Sequence, residues 1–324
     1  MIKQCANMLA ATLVACLSTP SGAQVTYPVR AITIVVPSAA GGSPDAMMRL
    51  LAAELQKHLH QHVEVVDVPG DGGQTGMVQG LHAAPDGYTL TYANVVTLAV
   101  NKSLYRQLKY DPDVDAMPVA LVAFTQNALV VRDRSPFKSL ADVLAYARAH
   151  PGKLTLASPG AGTTGHLAGV LLTMRAGVKL AQVPYPGSQR AIDDLLAGQV
   201  DLMFDNLASI GNYVQSGQVR ALALSGEKRS RIAPGVPTVA EGGLLGYAAV
   251  SWGGLVAPRG TDPGIVDRLN QLVNQILAEP AIQDKFAAIG FETYIGPALA
   301  LTGVARLEAP RWEAVIRQAA LPPR

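Results

Sequence analysis

The chain has 324 residues, 49% hydrophobic and 15% charged, a balance that excludes a disordered segment and allows two lobes of ordinary domain size. A formal net charge of +2, with no basic run and no basic–aromatic stripe, excludes nucleic acid as a partner. Aromatic residues make up only 5% while Ala and Gly abound, which suits helices packed closely on a sheet.

Residues 1–23 read as an export signal peptide. Lys3 is the only charge, an apolar stretch follows at 8–17, and Ser21 and Ala23 are the small residues a signal peptidase reads. The apolar stretch is too short to span a bilayer. Removing the leader leaves 25 basic against 24 acidic side chains, a net charge of +1. Both cysteines, Cys5 and Cys16, lie in the leader, so cleavage after Ala23 gives a cysteine-free, soluble periplasmic protein. The string LVAC at 13–16 has the form of a lipoprotein processing site, and cleavage before Cys16 would leave a lipid-anchored protein instead. We expect the soluble form.

Strand and helix patterns then alternate. A β-branched run at 32–36 is followed by a helix at 44–60, with Met47, Leu51, Leu55 and Leu59 four apart on one face. Its start is marked by Ser43 as N-cap, Pro44 in the first turn and Asp45 beside it. A strand at 63–68, a short helix at 75–82 and a strand at 88–92 come next. The extended stretches 119–124 and 128–132, broken at 125–127, make a candidate crossing between lobes. The rhythm restarts with helices at 139–150, 164–176, 189–197 and 207–215, between strands at 154–157, 180–183, 200–204 and 219–224. A second crossing is expected at 248–256, and the tail from Asp262 is helical. Strands alternating with helices predict parallel sheet covered on both faces. The predicted lobes are 27–126 plus 251–324, and 127–250.

Two glycine-rich loops stand out, PSAAGGSPD at 37–45 and SPGAGTTGH at 158–166. Each follows a strand and opens a helix, which aims unpaired N–H groups and a positive dipole end at one point, an anion site made of backbone. Two of them about 120 residues apart predict a ligand held between lobes.

Other chemistries fit less well. The string GAGTTG at 160–165 matches a dinucleotide pattern, but the nearest acids downstream, Asp193 and Asp194, lie too far on, and His166 stands where a phosphate loop needs lysine. There is no nucleophile elbow and no zinc spacing. The cluster His58, His60 and His62 sits at a helix end, where a solvated terminus is the simpler reading than a metal site. Asp45 and Arg49 are spaced as an i,i+4 pair. His166 is either a satisfied first-turn histidine or a ligand contact. No catalytic residue, metal or cofactor is expected.

The strings YPVRAITIVVP at 27–37, GGSPD at 41–45 with Arg49, APDGYTL at 84–90, GTTGHLAG at 162–169, VPYPG at 183–187, LLAGQVD at 195–201 with Phe204 and Asp205, and VRALA at 219–223 resemble the Bug (TctC-like) family. These are periplasmic solute-binding proteins of tripartite tricarboxylate transporters, and the resemblance covers essentially the whole mature chain. It implies an α/β, two-lobed periplasmic-binding-protein (Venus flytrap) fold of type II with two interdomain crossover strands. The implied ligand is a small carboxylate held largely by backbone groups, and the implied partners are the membrane subunits of the transporter. A sensor presenting its closed form to a membrane histidine kinase is the alternative. A monomer is expected. Carried over by position, the ligand-binding residues are Ser38, Ala39, Ala40, Gly41, Gly42, Asp45 and Asn94 from one lobe. From the other come Ser158, Gly160, Gly162, Thr163, Thr164, His166, Tyr185 and Asp205.

Departures from the family pattern are also visible. Ser38 is small where relatives carry a bulky side chain. The segment 66–73 lacks the family's arginine and adds Asp71, a charge that would disfavour a highly charged tricarboxylate if this turn faces the cleft. Arg190 is either a bidentate carboxylate contact or a surface arginine.

Overall fold

The structure, a computed structural model, describes residues 27–321. The leader expected at 1–23, with the lipid-attachment reading of Cys16, lies outside the described residues. Among those described, no helix is long and apolar enough to cross a membrane.

The run Ile32–Val36 forms β1, flanked in parallel by β2 (Val63–Asp67) and β3 (Thr89–Asn94). Four of its five side chains are buried, as a strand covered on both faces requires. Helix α1 (Ser43–Leu59) lays Met47, Met48, Leu51 and Leu55 against Ile34 and Val36, and α2 (Gln74–Leu81) precedes β3. After β3 come a π-helical turn at Val96–Val100 and the short α3 (Asn101–Leu104). No element is expected from the sequence over this stretch.

Strand β4 (Ala116–Arg132) runs unbroken through the predicted interruption at 125–127. Its partners change there. Residues 116–126 pair antiparallel with β9 (Val250–Pro258), which also pairs with β3. Residues 127–132 pair instead with β7 (Leu202–Asn206) and β8 (Val219–Leu224). Beyond β7 lie β5 (Thr155–Ser158) and β6 (Ala181–Pro184), both parallel to their neighbours, giving the order β2-β1-β3-β9-β4-β7-β5-β6. One long strand therefore carries the chain from the first half of the sheet to the second, and the segment leading into β9 carries it back.

Helices cover both halves. In the second, α4 (Leu140–Ala149) and α5 (Thr164–Ala176) lie in a core containing Leu156 and Phe204, while α6 (Ser188–Ala197) and α7 (Leu207–Gln215) bury Ile192, Leu195 and Ile210 against Val130 and Met203. The tail adds α8 (Pro263–Ala278), α9 (Pro280–Ala288), the two-residue β10 (Glu292–Thr293) on β4, and α10 (Ala300–Gln318).

The two crossings are tied together. Asn127 is fully buried, its Nδ2 donating to the Ala249 carbonyl at 2.8 Å and its N–H to Ser225 Oγ at 2.9 Å. Ser225 Oγ in turn donates to the same carbonyl at 2.7 Å. Each buried polar group is thus matched within one knot, which fixes the two passing strands relative to each other.

Candidate ligand-binding cleft

The first glycine loop begins where β1 ends. Helix α1 starts one residue earlier than expected, with Gly42 rather than Ser43 as N-cap and no side chain capping it. The reason lies in Asp45, which is buried and turns back to accept the Gly41 N–H at 2.8 Å. Arg49 Nε lies 2.5 Å from Asp45 Oδ1, and Arg49 Nη2 bonds Asp67 Oδ2 at 2.9 Å. Burial and the nearby Asp45 charge nevertheless push the Asp67 carboxyl up. The i,i+4 pair expected from sequence is thus half of an Asp45–Arg49–Asp67 brace behind the loop.

The second loop follows β5. Thr163 caps α5, its Oγ1 accepting the His166 N–H and donating to the Gly160 carbonyl at 2.7 Å. His166 is 6% exposed and its Nδ1 accepts the Gly162 N–H at 3.2 Å, so the ring braces the loop from inside. Gly165 must be glycine because an added Cβ would lie 2.4 Å from the Phe204 carbonyl oxygen. At Gly162, with φ +81°, a Cβ would meet Leu104 of α3 at 2.5 Å, so the loop closes directly onto the other half of the molecule.

Between the loops lies a chamber of about 550 Å³. Ser38, Ala39, Ala40, Gly41, Gly42 and Asn94 form one wall, and Thr163, Thr164 and Asp205 stand on the other. A second chamber of about 680 Å³ adjoins it, sharing Ser38, Asn94 and Thr163, and reaches Gly162 and the turn at 69–73. That turn, with Asp71, does face the cleft; the Asp71 carboxylate is paired with Lys109 Nζ at 3.0 Å. Five of the residues named from sequence sit behind the walls: Asp45, Ser158, Gly160, His166 and Tyr185. The Tyr185 hydroxyl donates to Asp194 Oδ2 at 2.8 Å. Arg190 is exposed and lines neither chamber.

The first chamber also gathers residues that sequence reasoning missed. Ser188 and Gln189 open α6, Ala208 and Ser209 lie in the first turn of α7, and Ser251 comes from β9. Together with Ser43 and Pro44 of α1 and Thr164 and Gly165 of α5, they place the N-terminal turns of four helices around one space. Three of these, α1, α6 and α7, have no side-chain cap, whereas α4 and α8 elsewhere are capped by Ser139 and Asp262. Free N–H groups and positive helix ends therefore converge where, among the described residues, no lysine or arginine lines the wall. The arrangement suits an anion bound by dipoles rather than by a counter-charge. The signal for α6 was present in the sequence as a third strand–Gly–helix junction at Gly187; Ser209 and Ser251 carried none.

A concavity of about 700 Å³ between α3 and α10, lined by Lys102, Arg306 and Arg317, touches neither loop. Among the described residues no group of three or more His, Cys, Asp or Glu is placed to hold a metal. His60 is the left-handed residue ending α1, and His62 Nδ1 lies 2.9 Å from Gln56 Oε1.

The model of the TctC family, described as the tripartite tricarboxylate transporter family receptor, matches residues 47–321. The chain is 36% identical to protein BugT of Bordetella pertussis over 90% of each chain. It is 35% identical to Rpa4515 of R. palustris, solved with adipate, with a TM-score of 0.85 over 91% of this chain and 98% of that one. It is 34% identical to MatC of Rhodopseudomonas palustris, solved with bound malate, with a TM-score of 0.80 over 90% and 100%. The fold is the two-lobed periplasmic-binding-protein fold of type II with two crossover strands. The chain belongs to the TctC family of tripartite tricarboxylate transporter receptors, a family of solute-binding proteins.

Proposed function

We propose that this protein is an exported periplasmic receptor that captures a small organic carboxylate between its lobes and delivers it to the membrane subunits of a tripartite tricarboxylate-type transporter. The observation that carries this reading is the chamber ringed by four helix N-termini with no cationic side chain among the described residues. Relatives of the same fold hold adipate and malate, which agrees with it. We assign 27–126 and 251–324 to one lobe and 127–250 to the other; the change of strand partners on β4 between Gln126 and Asn127 supports that division. The protein acts as a monomer without turnover or cofactor. The ligand-binding set is the Ser38–Gly42 loop with Asn94, the loop containing Gly162, Thr163 and Thr164, and Asp205, to which we add Ser188, Ser209 and Ser251. Asp45, Ser158, Gly160, His166 and Tyr185 shape these surfaces from behind.

The magnitudes are adequate. Micromolar binding needs about 8 kcal/mol net, before the cost of immobilising ligand and lobes. One helix end contributes about 0.3–1 kcal/mol, up to ~2 when partly buried. Charge-assisted hydrogen bonds add about 1.5–3 kcal/mol each. One loop falls short of this total; four helix ends with several N–H and hydroxyl donors reach it.

The test is isothermal titration of the ligand-stripped protein with succinate, adipate, malate and benzoate. Micromolar binding of at least one supports the reading. Binding of a neutral solute, with none of the four acids bound, overturns it.

A further inference from the structure

Among the described residues Asp205 is the one ionisable side chain on the wall of the first chamber, and it is 1% exposed. Its Oδ1 accepts the Asn206 N–H at 2.7 Å, while Oδ2 is buried with no hydrogen-bond partner. A buried carboxylate ordinarily has a cation or a full set of donors.

Among the described residues, no cation on the elements packed on β7 is paired with Asp205. Asn127, Ala128 and Leu129 of β4 lie opposite its end, and β5 carries no titratable side chain. Helix α5 brings His166, occupied with Gly162, and Arg175, which bonds the Leu245 carbonyl. On α6, Arg190 is exposed, Asp193 accepts from Gln189, and Asp194 accepts from Tyr185. The Tyr213 hydroxyl of α7 is bonded to Gln189, and across the chamber Asp45 of α1 is paired with Arg49. Burial accordingly pushes the Asp205 carboxyl up to about 7, opposed only by the Ser188 hydroxyl and the Asn206 N–H.

A carboxylate entering this chamber sets a second negative charge beside that side chain. Two carboxyl groups sharing a dry site do not both ionise; one keeps a proton and donates it to the other. Oδ1 is committed to the Asn206 N–H, so Oδ2, with no hydrogen-bond partner within 3.5 Å, is the atom that carries it. Resting on the carboxylate-receptor reading above, we propose that the receptor binds its ligand together with one solvent proton, held on Asp205 Oδ2 and donated to a ligand carboxylate oxygen. The preferred ligand then presents an acceptor to Asp205. A ligand presenting a hydroxyl or ammonium donor there would need the ionised side chain.

The probes are succinate, adipate, malate and benzoate, titrated calorimetrically at about pH 6 and about pH 8, each in two buffers of different ionisation enthalpy. For an acid that binds, proton uptake is a small fraction at about pH 6 and approaches one at about pH 8. Kd rises by up to about tenfold per pH unit above neutrality. Asp205→Asn, which places an amide donor at the same point, binds with no uptake and a flat pH profile. Binding with no uptake at about pH 8 and a flat Kd overturns the proposal and leaves the carboxylate reading intact. So does a loss of about 100-fold in affinity for Asp205→Asn at pH 6. If none of the four acids binds, the carboxylate reading itself fails and the proposal with it. If Asp205→Asn does not fold, the proton count of the unaltered protein decides the matter alone.

Discussion

Ser251 of the return strand donates its hydroxyl to Thr164 Oγ1 across 3.1 Å, joining β9 to the first residue of α5. Thr164 Oγ1 also reaches Asn127 Oδ1 at 3.3 Å and Asn206 Oδ1 at 3.4 Å, so the cleft floor is one polar patch built from both crossings. Ser251→Ala removes a half-buried hydroxyl and its bond between the two halves. Carboxylate affinity should fall about three- to tenfold, one neutral hydrogen bond being worth about 1 kcal/mol, while Tm stays within about 2 °C. Asn127→Ala, which strips the buried crossing knot, should lower unfolding stability by about 2–3 kcal/mol. Calorimetry and urea unfolding of the two variants separate the roles.

Arg49 braces the first loop from behind, facing two largely buried carboxylates. Arg49→Gln leaves Asp45 and Asp67 side by side without a cation. Because Arg49 is itself half exposed, the expected cost is about 1–2 kcal/mol, together with weakened ligand binding as Gly41 loses its fixed position. An unchanged urea midpoint with unchanged affinity would show that Asp45 orders the loop without the arginine.

Asp205 also makes stability depend on pH. Its folded-state value is raised above the unfolded one, so the unfolded chain gives up its proton first as pH rises. The contribution is complete below about pH 4 and is lost between there and about pH 7. Asp205→Asn removes this loss. Relative to the unaltered protein, the variant should gain about 2–3 kcal/mol in going from pH 5 to pH 8, read from urea unfolding at the two values. A constant difference between variant and parent would mean that Asp205 titrates low.

Asp71 lines the second chamber, where a long ligand would place its far end. Asp71→Asn should improve adipate binding several-fold and leave benzoate within about twofold, since only the dicarboxylate meets that charge. The ratio of the two Kd values is the readout; equal changes for both acids would place the far end of adipate elsewhere.

Much of this site was legible in the sequence because its donors are backbone groups. A strand ending in glycines and opening a helix announces N–H groups whatever the side chains are, so the loops at 37–45 and 158–166 could be found by eye. What was not legible came from tertiary placement. Ser251 reaches the floor only because β9 runs antiparallel to β4, and Ser209 because α7 starts at the end of β7. The stretch 96–104 runs from apolar residues into Asn101, Lys102 and Ser103, and nothing in that composition marks a π-helical turn; its first N–H groups are taken by the side chain of Asn94 just ahead of it. Thr125, Gln126 and Asn127 read as a break because they are polar in an apolar run. They continue the strand because Asn127 finds buried partners in Ser225 and Ala249. Tyr185 and Ser158 follow the family's motif positions, while the Tyr185 hydroxyl is bonded to Asp194 and Ser158 is buried.

The central claim is that backbone N–H groups at the helix ends of both lobes hold the ligand. Amide shifts of deuterated, ¹⁵N-labelled protein, followed by transverse-relaxation-optimised NMR while adipate, succinate, malate or benzoate is added, test it directly. The amides of Ala40, Ser43, Ser188, Gln189 and Ala208 should move together and saturate at one equivalent of the acid that binds. Shifts confined to the α3–α10 concavity around Lys102 and Arg306, with these five amides unmoved, would contradict it.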